Sequence, residues 1–374
     1  DVDMDESKIA RMTAETKALR ALYYFNLVRM FKNIPLITTP LTSSEFNAVP
    51  QADPEAIFEQ IEQDLLEAIP DLPPTIPAEE AGRITKGGAQ AILGKVFLWE
   101  GKKQEAAAQL REVNGTPGET NQYGNRLLDS FDALWETDNK FNTESLIEVA
   151  HTNASFSYWE IWGGGQDEGN SINTMVGPRS YSQLTEAAPD LPSGWSFNPV
   201  EPELYELLKG DPRFDATILD LDALVAAGAA SYLPGYEDTG YFLNKFIPTR
   251  ADVTTGAGEP ILNYRQNYYV IRLADTYLME AEALGGTGAR AQALLDAVRA
   301  RVDLPSVPVS LQAIYRERRL ELAGEGHRFF DLVRTGRAAE FLSDEGFVPG
   351  KHEILPIPYR ELENTIIEQN PQYQ

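Results

Sequence analysis

Apolar residues along the first third of the chain recur at helical spacing. Between residues 13 and 30, Ala18, Leu22 and Phe25 fall on one stripe that Tyr23 and Tyr24 widen, which predicts a helix with one buried side. After KNIPLITTP, Asp53 is placed to cap and Pro54 to fill the first turn of a second helix, whose Ile57, Phe58, Ile61, Leu65 and Ile69 step by one, three or four. PDLPPTIP ends it. Over residues 85–113, Leu93, Gly94, Phe97, Gly101, Ala106 and Leu110 match the tetratricopeptide pattern of about 34 residues. Gly94 and Ala106 would let two antiparallel helices approach closely, with Phe97 and Leu110 filling the groove. A second helical pair is expected over 269–302, broken at GGTG. A third is expected from Ser310 as cap, with its turn at AGEG.

Residues 114–263 change character. Gly, Pro, Asn and aromatics rise, periodicity falls, and GGGQDEGN, DLPSGW and LPGYEDTG mark turns and long loops. The expected fold is therefore mostly α: a tetratricopeptide-like scaffold of helical pairs (7–113 and 264–342) interrupted by a large loop-rich insertion (114–263). An irregular segment follows (343–374), and the whole is read as one domain, 1–374. Few short strands are expected, all within the insertion, and a short helix is expected at 359–363. A loop-rich insertion of this size points to function.

Charge and composition narrow the classes. Lys and Arg number 32 against 57 Asp and Glu, a net charge of -25 spread along the chain, which repels phosphate backbones and argues against nucleic acid. No cysteine occurs, which excludes a thiol nucleophile, disulfides and Cys-ligated metal. No apolar run approaches the ~20 residues that a membrane helix needs. The three histidines, His151, His327 and His352, lie far apart without zinc-site spacing. DVDMDES begins like a calcium loop, but Glu6 stands at its glycine position and Met12 at its bidentate acid. GGGQDEG lacks the Lys and flanking elements of a phosphate loop, and no GxSxG occurs. Neither metal nor cofactor is expected.

ERRLELAGEGHRFFDLVRTG, residues 317–336, concentrates charge among apolar residues. Arg318 and Glu321 are spaced to pair along a helix, and Leu320, Leu322, Phe329, Phe330, Leu332 and Val333 carry the heads toward a packed interface, so an ion-pair network is expected, not a catalytic site. Aromatics stand out instead. SFSYWEIWGGGQDEGN holds Phe156, Tyr158, Trp159 and Trp162, and Tyr181, Trp195, Phe197, Tyr232, Tyr236 and Tyr241 follow in the insertion. An exposed indole or phenol face with amide or carboxylate groups nearby complements a sugar ring. Tyr158, Trp159 and Trp162, with Gln166, Asp167 and Asn170 to bond hydroxyls, are the expected centre of a ligand site. Tyr181, Tyr232 and the Phe46–Asn47 loop are further candidates.

Several stretches carry a resemblance: ETKALRALYYFNLVRMFKNIPLIT, ITKGGAQAILGKVFLWEGK, GWSFNPVEPELYELLKGDPRFDATIL, YYVIRLADTYLMEAEAL, ERRLELAGEGHRFFDLVRTG and ILPIPYRELENTIIEQNP. In this order they resemble the SusD/RagB family of surface glycan-binding lipoproteins that accompany TonB-dependent receptors. The resemblance implies non-catalytic capture of an oligosaccharide or similar nutrient. It also implies a SusC-like TonB-dependent partner and a lipid anchor at the outer-membrane surface. The lipidated cysteine and a further helical segment usual in the family are not in this sequence, so the chain reads as N-terminally incomplete. Two alternatives remain at this point. A glycosidase would need two carboxylates facing one groove about 5 to 10 Å apart, with Glu160, Asp167 and Glu168 as candidates. A peptide-binding repeat scaffold would need a continuous concave face.

Overall fold

The computed structural model describes residues 4–154, 157–159 and 168–374, and the chain divides into two compact units, 1–113 with 326–374, and 114–325. Residues 264–325, read from the sequence as part of the same scaffold as 7–113, pack in the unit that holds the insertion.

In the first unit, α1 (Glu6–Phe31) starts seven residues earlier than its apolar stripe, because Asp5 accepts the Ser7 N–H at 2.8 Å and caps it. Its buried residues, Ala14, Ala18, Ala21, Phe25 and Val28, step by three and four, and the three alanines let α2 (Pro54–Ala68) lie close. Arg20 grips Asp64 of α2 with two bonds of 2.7 and 2.6 Å. Pro54 does open α2, but Asp53 makes no side-chain cap bond, so the proline's fixed φ replaces the expected cap. Helices α3 (Lys86–Trp99) and α4 (Lys103–Asn114) meet where the pattern placed them. A Cβ on Gly94 would stand 2.6 Å from Leu110 Cγ, so only glycine fits. Arg29 lies over the rings of Phe25 and Phe330, at 4.2 and 4.3 Å. His327 Nδ1 is 3.3 Å from Lys95 Nζ.

The second unit holds α5 (Leu273–Ala283), buried along its whole length, then α6 (Gly288–Ala300) and α7 (Leu311–Glu321). Ser310 caps α7 by accepting the Ala313 N–H at 3.1 Å. The helix expected to begin at 269 does not. Tyr268–Arg272 is a strand paired antiparallel with Ser145–Val149, and α5 begins only at Leu273, as the aromatic and β-branched run YYVIR favours extension. The described strands are also not confined to the insertion, since Ile34–Pro35 pairs with Gln51–Ala52 in the first unit.

The charges of α7 are structural, with partners other than the expected one. Arg318 meets Asp275 at 2.7 Å, not Glu321. Glu321 binds Arg272 at 2.6 Å and Arg213 at 3.0 Å, and Arg301 as well. Arg272 also reaches Glu144 and Glu325, each at 2.8 Å. Burial alone would raise the Glu321 carboxyl, but the guanidiniums of Arg301, Arg272 and Arg213 hold it well below its usual 4.5.

Candidate functional site

Three backbone segments of the second unit converge to carry the insertion's aromatics. The stem around Tyr158 is fixed first. Ser157 C=O accepts the Glu259 N–H at 2.9 Å and Asn263 Nδ2 at 3.1 Å, and the Tyr158 hydroxyl donates to the Ala257 carbonyl. On the far side, Thr152 N–H donates to Glu168 C=O at 2.9 Å. His151 Nδ1 lies 3.2 Å from the same carbonyl, and burial holds that imidazole below its ordinary 6.5. Against a carbonyl acceptor it must be the imidazole that donates.

The second segment is the short helix Ile172–Val176. Helix C-termini leave carbonyls without intrahelical partners, and here residues 194–197 supply the donors. The N–H groups of Gly194, Trp195, Ser196 and Phe197 go to the carbonyls of Pro178, Thr174, Gly177 and Met175, at 2.9, 2.9, 2.8 and 2.7 Å. An extended strand alternates its donors and could not do this. The chain turns instead through Ser196, at φ 57°, and Asn198, at φ 54°, both in the left-handed region that non-glycine residues seldom enter. Ser196 is buried, and its Oγ accepts the Arg179 N–H at 2.8 Å.

This backbone presents a platform. The indoles of Trp159 and Trp195 stack with centroids 5.8 Å apart and planes 22° from parallel, and Phe197 leans on Trp195 at 5.6 Å and 58°. Trp159 is 48% exposed and Phe197 52%, so these rings keep open surface although the Phe197 backbone is bonded in place. Arg179 and Asn198, both exposed, flank it in the bonded segments. Among the described residues Arg179 makes no ion pair, which leaves its guanidinium available to hydroxyls. Flat apolar faces beside polar donors suit a ring with an axial C–H face and a hydroxyl rim.

The expected site residues divide. Tyr158 is 40% exposed and Trp159 stands in the platform. Trp162, Gln166 and Asp167 lie outside the described residues, as do Phe156 and Glu160. Asn170 is buried: its Nδ2 donates to Gln266 C=O at 2.9 Å and its Oδ1 accepts the Ile172 N–H at 3.0 Å, so it anchors the short helix instead of facing a ligand. Tyr181 is buried too, its hydroxyl donating to Pro189 C=O at 2.6 Å. Tyr232 is half-buried and bonded to Asp238 at 2.7 Å. Phe46, 67% exposed, and Asn47 belong to the first unit. Trp195 and Phe197, named among the insertion's aromatics, were not among the residues expected at the site. The signal for them is GWSFNP, rings alternating between residues that favour turns.

The model of a family described as the SusD family matches residues 161–373. This chain belongs to the SusD family. SusD-like family members are carbohydrate-binding proteins, not enzymes, which removes the glycosidase alternative. A laminarin-binding SusD-like protein of known structure is 73% identical to this SusD-family chain, with a TM-score of 0.97 over 99% of this chain and 80% of its own. Surface glycan-binding protein A from Bacteroides thetaiotaomicron, in complex with laminarihexaose, is 25% identical with a TM-score of 0.84, over 99% of this chain and 80% of its own. Among curated relatives, SusD-like protein P25 of Formosa agariphila is 26% identical across 97% of this chain and 72% of its own length. No helix among the described residues is long and apolar enough to cross a membrane.

Proposed function

We propose that this chain binds a neutral glucan of the laminarin type, without chemistry, on the platform of Trp159, Trp195 and Phe197, with Tyr158 at its edge. The observation that carries this reading is the Trp159–Trp195 stack, in which a half-buried Trp195 held by backbone bonds supports a Trp159 that is 48% exposed. A net charge of -25 repels polyanionic glycans and favours a neutral one. The 73% identity to a laminarin-binding protein supports the same class. Titration calorimetry with laminarihexaose tests it. The parent is expected to bind, and Trp159→Ala to lose roughly 1 to 3 kcal/mol, the range of an aromatic anchor. Equal binding by both proteins would place the site elsewhere, with Phe46 of the first unit the next candidate.

The reading extends to delivery. The captured glucan passes to a SusC-like TonB-dependent transporter at the outer-membrane surface, where a lipid tether raises local concentration and lets the contact itself be weak. Family membership supports this. Co-purification of a TonB-dependent receptor from native outer membranes is the expected outcome, and recovery from the cytosol without one is the contrary result.

A further inference from the structure

Residues 232–238 form a braced loop against the same surface. At its base the Tyr232 hydroxyl donates to Asp238 Oδ2 at 2.7 Å, and the Tyr232 ring meets Phe242 edge-on at 5.5 Å. One step along, Leu233 N–H donates to the Arg179 carbonyl at 2.8 Å, while Arg179 N–H donates to Ser196 Oγ at 2.8 Å. The loop is thus bonded, through one residue, to the residue that separates Trp195 from Phe197. Gly235 touches that residue directly, since a Cβ there would stand 2.9 Å from Ser196 Cβ. Next in the chain comes Tyr236, 85% exposed, with Leu233 at 57%.

A lone exposed tyrosine on a surface is ordinary. This one is not alone, because the residue before it, Gly235, rests against Ser196, the buried hinge of the aromatic platform. Leu233 and Tyr236 thus add exposed apolar side chains on a loop bonded to the segment that carries Trp195 and Phe197, and clustered apolar exposure of that kind marks a binding region. The bracing matters energetically. A loop already ordered by the Tyr232–Asp238 bond and the Gly235 contact loses little freedom when a ligand settles on it, so more of the stacking energy survives as affinity.

Resting on the glucan reading above, we propose that Tyr236 is a further ligand-contact residue, which takes sugar units beyond those held on the indoles and makes the site favour long chains over short ones. Calorimetry on the parent, Tyr236→Ala and Trp159→Ala, each with laminaritriose and laminarihexaose, tests it. Tyr236→Ala is expected to weaken laminarihexaose binding roughly tenfold, as loss of one aromatic anchor does, while leaving laminaritriose binding unchanged. Trp159→Ala is expected to weaken both. Tyr236→Phe, which keeps the ring, should bind as the parent does. Because Tyr236 is almost wholly exposed, melting temperatures should not move. Unchanged laminarihexaose affinity in Tyr236→Ala overturns the proposal, and so does an equal loss for both lengths. If Tyr236→Ala has no effect while Trp159→Ala loses binding, the extension fails and the platform stands. If Trp159→Ala also has no effect, the platform reading fails with it.

Discussion

Gly194 crosses Gly177 so closely that a Cβ on Gly194 would stand 2.4 Å from the Gly177 carbonyl oxygen. No side chain fits there, and the obstacle is backbone, which cannot swing aside. Gly194→Ala is therefore expected to push residues 194–197 off the end of the short helix and tilt Trp195 away from Trp159. Glucan affinity should fall roughly tenfold or more, comparable with removal of an aromatic anchor, while far-UV circular dichroism keeps its helical shape. Parent-like affinity would show that the platform does not depend on this crossing.

Asn170 and Trp159 should separate stability from binding. Removing the Asn170 amide strands the Gln266 carbonyl and the Ile172 N–H, at a cost of about 1 to 3 kcal/mol of stability. Trp159→Ala, at a half-exposed ring, should leave the melting temperature nearly unchanged and lose affinity. An Asn170→Ala protein that melts with the parent yet binds poorly would return Asn170 to the ligand site.

Glu321 stands at the centre of a buried network, fully buried and facing three guanidiniums. Glu321→Ala leaves Arg213 and Arg272 with less counter-charge and should destabilise by roughly 3 to 5 kcal/mol in urea titrations. The folded fraction should bind glucan as before, because the network holds helices and strands together and does not touch the platform rings. The Glu321 pKa, held below its unfolded value, adds stability that is present above about pH 4.5 and lost as the solution is acidified further.

What was legible in the sequence was local. The Gly94–Leu110 approach, the Ser310 cap and the opening of α2 at Pro54 depend on residues within a turn or a helical pair, so spacing exposes them. Residues 269–272, at the start of the expected helical pair, are strand instead, because their partner, Ser145–Val149, lies more than a hundred residues away. Separation along the chain also hid the partners of Glu321, since Arg213 lies 108 residues away in the insertion and Arg272 lies 49 away in that strand. At the site, Trp159 was visible as a ring in a Gly-rich neighbourhood. Trp195 and Phe197 were visible only as two rings among the insertion's aromatics, because what brings them beside Trp159 is a set of backbone bonds to residues 174–178, which GWSFNP hints at but does not specify.

In the first unit, Glu100 should make stability fall as pH rises. Burial, together with the neighbouring Glu62 carboxyl, pushes Glu100 up to about 7 from its ordinary 4.5, even though Lys102 lies 3.0 Å away. Between those two values the unfolded chain has already released this proton while the folded chain still holds it. The folded state then binds more protons, so its stability declines as pH climbs through that window and levels off above about 7. Glu100→Gln keeps the shape and removes the titration. The stability difference between Glu100→Gln and the parent, measured by urea unfolding at steps from pH 5 to 8, is therefore expected to grow in favour of the variant as pH rises. A difference that stays flat over that range would mean that Glu100 ionises in the folded protein as it does in the unfolded one.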